Sequence, residues 1–407
     1  MRKVLDNGLT IIYEKRESDM ASFCFAFKAG ALYEEGYNEG IAHVVEHMVF
    51  KGTINRSEGE INNQCDEIFA FQNAMTNYSY SMYYGTTLWE DFYRGLDLFT
   101  DILINPSFKE TGFKEEMEII LQELIEWREN PYQHCEDLML YNSFKGSRFG
   151  ENIIGTCESL SRITIKEIKE FYLNYYTPDN CVLAVTAPFN PEDFIAIMEE
   201  RLCSFTRKLS RDISYIKKVP ESGVFVETLE GLKGAKLLWA YPVDGLSQKE
   251  LNVLKLFNRW MGVGTSSIIY DEIRTKRGIA YEVGSELKQD NGMNLWTAYL
   301  GTSKEKAEEA IMAVEELFSS ISEGRILPNE EVLLKLKKGY KLFWAFKRER
   351  GVEWCKLLAL EELLRGDYKR LYDDFKDIEV INCTDIKEVS EKLYRIPILQ
   401  LLLGEEG

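Results

Sequence analysis

The chain has 407 residues, 45% apolar and 29% charged, with 49 basic against 67 acidic side chains and a formal net charge of −18. This is the composition of an ordinary globular protein of about two or three domains, and it excludes disordered and collagen-like classes. The acidic balance argues against a nucleic-acid binder, which needs a basic field to displace phosphate counterions, and favours cationic partners such as basic peptides.

The N-terminal segment turns polar before a signal-like apolar core develops, and no apolar run approaches the length of about 20 residues that spans a bilayer. The eight cysteines are dispersed without a CxxC pair, which reads as free thiols in a reducing compartment. A cytoplasmic protein with no membrane span is therefore expected.

In chain order, Leu9 to Tyr13 and Ser22 to Phe27 read as strands, each bounded by polar or glycine punctuation. A helix is predicted around 40–50, with Asn38 as its cap and Gly52 as its stop, and another near 58–70. Met75 to Thr86 reads as a strand. Helical periodicity then covers 89–103 and 113–129, broken at Asn105-Pro106. Thr164 to Tyr175 is a further helix and Cys181 to Val185 a buried strand. The order repeats later: strands at Val224 to Glu227 and Lys236 to Tyr241, a helix from Gln248, a strand at Leu295 to Leu300, and helices over Lys304 to Ser320 and Asn329 to Arg365. The basic, turn-rich stretch between the halves reads as a linker. The expected division is 1–206, a linker over 207–223, and 224–407, two α+β halves of similar size.

Two of the three histidines, His43 and His47, lie four apart on the predicted helix with Glu46 between them. Residues i and i+4 project from one helix face, where two imidazoles can hold one zinc ion. Glu46 can then reach a metal-bound water without being a ligand. A catalytic zinc needs a third protein ligand, and the helix over 113–129 offers several glutamates; Glu116 and Glu123, seven apart, share nearly one face. His134, after a proline, reads as an exposed loop histidine outside this site. Gly262 to Ser267 lacks the lysine of a phosphate loop and reads as a turn.

The His43-x-x-Glu46-His47 signature, inverted relative to the commoner zinc motif, resembles the pitrilysin/insulinase family of zinc peptidases, specifically its short processing-peptidase branch. Leu5 to Leu9, Asn73-Ala74-Met75-Thr76, Gly155-Thr156 through Pro178, and Arg274 to Tyr281 are similar to other segments of that family. The resemblance implies an α+β fold of two similar domains, each a mainly antiparallel sheet packed with helices, enclosing a peptide-binding cleft. It implies a third zinc ligand about 75 residues past the motif, a spacing that selects Glu123; Glu116, two turns earlier on the same helix face, is then placed to support it. It also implies one Zn2+ per chain, Glu46 as general base, and Arg274 and Tyr281 acting on the substrate from the second half. Asn73, Ala74, Met75 and Thr76 would form the edge strand to which an extended peptide adds. The implied function is a zinc metalloendopeptidase hydrolysing unfolded or extended peptides, working as a homodimer or as a heterodimer with a related subunit. The competing expectation is a non-catalytic structural or peptide-binding subunit of the same fold; such subunits typically lose part of the motif or the Arg/Tyr pair, and this chain keeps both. Two departures bear on substrate range: Ala70-Phe71-Gln72 stands where relatives have small, glycine-containing residues, and Ser147-Arg148 where they often have His-Pro.

Overall fold

The computed structural model describes residues 1–206, 218–395 and 397–405. Two compact units are present. The first comprises Met1–Ile125, Ala345–Leu371 and the described residues of Asn152–Tyr215; the second comprises Glu126–Glu151, Tyr372–Gly407 and the rest of Ile216–Trp344. Relative to a contiguous division at 206 and 224, two helical segments change sides. Residues 207–217 of the expected linker lie outside the described residues.

The first unit is built on a six-stranded sheet of β1 (Arg2–Val4), β2 (Thr10–Lys15), β3 (Met20–Phe27), β4 (Phe69–Thr76), β5 (Ser81–Leu88) and β6 (Cys181–Ala187), in the order β1-β2-β6-β3-β5-β4. Only the β2/β6 pair is parallel. Strands β3 and β6 are buried almost throughout, which explains why both read as continuous apolar runs. Helix Gly351–Arg365 packs on β3, β5 and β6, with Trp354, Cys355 and Leu358 fully buried. Each such large apolar side chain stabilises the unit by about 1.5–3 kcal/mol.

The second unit repeats the plan with β7 (Gly223–Leu229), β8 (Ala235–Pro242), β9 (Ala280–Asp290), β10 (Met293–Thr302) and β11 (Ile398–Gly404), ordered β7-β11-β8-β10-β9. Again one pair, β7/β11, is parallel and the rest antiparallel. Its core gathers Trp239, Tyr241, Phe257, Trp296 and Phe318. The α+β expectation of two similar, mainly antiparallel sheets with helices is met in both units.

Four helices of the first third of the chain position the site: α1 (Ile41–Val49), α2 (Glu58–Ile68), α3 (Phe92–Ile104) and α4 (Phe113–Glu129), with α5 (Pro131–Ser143) following. Several local expectations are corrected. Met75 to Thr86 is not one strand but the end of β4, a turn over 77–80 closed by Asn77 N–H on the Tyr80 carbonyl at 2.8 Å, and the start of β5. That turn has no glycine or proline and carries two tyrosines, so it imitates a strand. Asn38 does not cap α1; its backbone and side-chain amides donate to Glu167 instead. Asn329 to Arg365 is two helices, Glu330–Glu349 and Gly351–Arg365. His134 lies in the first turn of α5, half-buried rather than in an exposed loop, because Asn130 caps the helix ahead of Pro131.

Candidate metal centre

Helix α1 is short and apolar, and it buries eight of its residues. Its N-terminus lacks a side-chain cap of its own: Gly40 takes a left-handed conformation (φ 91°), where a Cβ would meet the Ile154 carbonyl oxygen at 2.2 Å. The buried Glu34 carboxylate supplies the cap instead, accepting from Gly40 N–H at 3.1 Å and Ala42 N–H at 3.0 Å. An anion at a helix N-terminus is also favoured by the helix dipole. The helix is thus pinned one residue before the turn that carries His43.

The two imidazoles lie edge to face with ring centroids 4.6 Å apart. From α4, Glu123 brings Oε2 to 3.4 Å from His47 Nε2 and 3.8 Å from His43 Nε2. One ligand atom from each of the three residues lies within 4.8 Å of the others. A tetrahedral zinc with bonds of about 2.0–2.1 Å needs its donors roughly 3.3–3.5 Å apart; the 3.4 Å separation of Glu123 from His47 matches this, the 3.8 Å one from His43 is slightly wider, and the two-imidazole, one-carboxylate donor set suits that ion. Glu116, two turns earlier on α4, accepts from His47 Nδ1 at 2.8 Å. An ionised carboxylate can only accept, so Nδ1 carries a proton, and Nε2 is the nitrogen that a metal would take on displacing the proton it shares with Glu123. His43 Nδ1 is buried with no hydrogen-bond partner among the described residues.

Electrostatics follow from these contacts. Burial, and next the charge on His47, lower the pKa of His43. Burial also works against a charged His47, but its hydrogen bonds to Glu116 and Glu123 outweigh this and raise it to about 9. For Glu116 burial opposes the anion, yet the His47 hydrogen bond and the Lys51 ammonium keep the carboxyl below its ordinary range. Glu46 is buried one residue before His47, and that burial pushes its carboxyl up to about 7, against a donated hydrogen bond from Thr76 Oγ1 at 2.5 Å.

Thr76 is the last residue of β4, the free edge of the first unit's sheet, paired in register with Ser81 of β5. Further along β4, Ala70 is the extra residue of a bulge between Phe69 and Phe71, and Phe71 is exposed. Ala74 N–H is met by the Asn73 side-chain oxygen at 2.9 Å rather than by β5, so this donor points to the open side of the edge.

His43, Glu46, His47, Glu116 and Glu123, with the β4 segment Asn73 to Thr76, all belong to the first unit. Arg274 and Tyr281 belong to the second. Arg274 lies in a π-helical turn, Tyr270–Lys276, with its guanidinium 4.5 Å from the Tyr270 ring centre. Tyr281 is half-exposed at the start of edge strand β9, with the Lys236 ammonium 5.3 Å from its ring centre. Three side chains escaped the sequence reading: Glu34 as the cap, the Thr76 hydroxyl on Glu46, and Lys51 against Glu116. Only Lys51, four residues past His47, leaves a trace in the spacing.

Residues 10–157 match the family model described as Insulinase (Peptidase family M16), and residues 162–340 match that described as Peptidase M16 inactive domain. The chain belongs to the M16 family. A Rickettsia felis protein named uncharacterized zinc protease is 28% identical over 401 residues, spanning 98% of this chain and 96% of that protein. The mitochondrial-processing peptidase subunit beta of Dictyostelium discoideum is 29% identical over 229 residues, 54% of this chain and 47% of that protein. A solved structure of a protease from Helicobacter pylori shares this chain's fold with a TM-score of 0.91 at 21% identity, over 100% of this chain and 99% of that one. The donor trio falls inside the segment that carries the M16 peptidase match. Among the described residues, no helix is long and apolar enough to cross a membrane.

Proposed function

We propose that this M16 chain is a zinc-dependent endopeptidase that hydrolyses extended or unfolded peptides, processing or clearing short ones. The observation that carries the reading is the His43, His47 and Glu123 trio with a ligand atom of each within 4.8 Å of the others, and a buried carboxylate, Glu46, one helical step away. Zinc bound there supplies a Lewis acid that activates water and polarises a carbonyl. Glu46, buried one residue before His47 on the same helix, takes a proton from the attacking water and returns it to the leaving amine. Glu116 keeps His47 in the tautomer that presents Nε2.

The peptide adds to the open edge of β4 at Asn73 to Thr76, its carbonyl replacing the Asn73 side-chain oxygen on Ala74 N–H. Arg274 holds a substrate carbonyl and Tyr281 donates to the developing oxyanion, roles that rest on the family resemblance. The −18 charge favours basic peptides. We further propose that the chain works in the cytoplasm and pairs with a second copy or a related subunit. The alternative of a non-catalytic subunit is less favoured, because the match described as an inactive domain covers 162–340, which contains none of the metal-site residues.

The test is metal analysis joined to digestion of unstructured peptides by the purified protein. About one zinc per chain, lost in His43→Ala, with cleavage that a chelator stops and zinc restores, is the expected result. A chain that takes up no zinc contradicts the reading, as does a zinc-loaded chain that cuts no peptide either alone or with a related subunit.

A further inference from the structure

We propose that Lys51 is a positioning residue of the metal centre: its ammonium holds the Glu116 carboxylate that in turn holds His47, and so sets how tightly the chain binds zinc. The inference rests on the metal-site reading above and adds a residue to it.

Lys51 leaves the end of α1 immediately before a turn at Gly52, whose φ of 111° is a left-handed conformation that favours glycine. The turn is clamped from behind. Thr53 N–H donates to the Arg56 carbonyl at 2.8 Å, and the buried Asp101 of α3 accepts from Thr53 Oγ1 at 2.7 Å, Asn55 Nδ2 at 2.6 Å and Arg56 Nη1 at 2.6 Å. Lys51 therefore departs from a fixed backbone. Its side chain is 18% exposed and reaches Glu116 Oε2 on one side and Glu58 Oε1, at 2.8 Å, on the other.

Glu116 is 6% exposed, and its two oxygens divide their work: Oε1 accepts from His47 Nδ1 at 2.8 Å, while the buried Oε2 makes no hydrogen bond of regular geometry among the described residues and is met by the Lys51 ammonium as an ion pair. With a hydrogen bond at Oε1 and the ammonium beside Oε2, the carboxylate is favoured in the orientation that keeps His47 Nε2 turned toward Glu123. Without the ammonium, Oε2 is an uncompensated anionic oxygen away from water, an arrangement that proteins avoid. The carboxylate then gains by swinging toward solvent, which loosens its hold on His47. Carboxylates that orient metal-bound histidines typically matter by about 10–100-fold in metal affinity; Lys51 acts one step further out, at the lower end of that range. Glu58 is the less important partner, since its side chain is 45% exposed.

Zinc affinity of the purified full chain, measured by competition with a chromophoric chelator, tests this without reference to activity. Lys51→Met should bind zinc about 10-fold more weakly, Lys51→Arg should recover most of the loss, and Glu58→Gln should bind as wild type does. In a Glu116→Gln background Lys51→Met should add no further loss, because its route to His47 is already cut. Thermal unfolding of the metal-free proteins checks folding, and Lys51→Gln replaces Lys51→Met in the same comparison if the latter does not fold. Wild-type zinc affinity in the folded Lys51 variant, or an equal loss with and without Glu116, overturns the role of Lys51 and leaves the functional reading standing. Absence of zinc binding in the wild type overturns the functional reading itself.

Discussion

Thr76 Oγ1 lies 2.5 Å from Glu46 Oε2 and 3.2 Å from Ser81 Oγ, so one hydroxyl ties the proposed base to the end of the β4–β5 hairpin. Thr76→Val keeps the shape and removes the donor. With Glu46 free to leave its position, kcat should fall roughly 10- to 100-fold while KM and zinc content stay near wild type; a raised KM with unchanged kcat would assign Thr76 to substrate binding alone. A second carboxylate reports on stability. Glu353 sits between Lys347 Nζ at 2.6 Å and Lys356 Nζ at 2.8 Å. Burial opposes its anion, but the hydrogen bonds from the two lysines outweigh this and hold the carboxyl down to about 2 from 4.5. A depressed carboxyl contributes stability that is whole above its unfolded pKa and is lost as the pH falls through the folded one. Because the pair is partly exposed and screened, Glu353→Gln should cost about 1 kcal/mol at pH 7. The gap between the two proteins in thermal unfolding should narrow steadily from pH 5 to pH 3.5, and a gap that widens on acidification would refute the assignment.

Among the elements, α1 and α4 are the parts of the site most legible in sequence, because apolar periodicity and the i,i+4 histidines follow directly from helix geometry. Choosing Glu123 among the glutamates of α4 needed the family spacing, since periodicity alone places Glu116 on nearly the same face. The β4–β5 hairpin was only half legible: Tyr78 and Tyr80 keep a strand-like pattern through a turn that no glycine or proline announces. Lys51 and Glu34 were hidden for a different reason, as the significance of each depends on a partner brought close by the fold. The open side of β4 yields its own prediction. Ala74→Pro removes the one β4 amide met by Asn73, and should raise KM for peptides several-fold with a smaller effect on kcat. Steady-state kinetics on a short unstructured peptide measures it, and an unchanged KM would move the peptide to another edge.

For the molecule as a whole, the exchange of helices between units is the feature that sequence could not supply. Helix Gly351–Arg365 covers β3, β5 and β6, and its partners Ser22 and Thr186 lie far from it along the chain. Helix α5 does the same for β8 and β11, with Asn142 donating to the Gln400 side chain at 3.0 Å. A fragment ending at residue 206 would expose the sheet face that Trp354 and Leu358 cover. It should fail to fold cooperatively by circular dichroism and thermal unfolding, whereas adding residues 345–371 in trans should restore a transition; a stable fragment alone would show the crossover helix to be dispensable. The central claim, a zinc peptidase whose base is Glu46, is tested most directly by mass spectrometry of a peptide library incubated with zinc-loaded wild type and Glu46→Gln, with zinc counted in both. The expected result is cleavage by the wild type, none by Glu46→Gln, and about one zinc per chain in each. Cleavage by Glu46→Gln at the wild-type rate would contradict it.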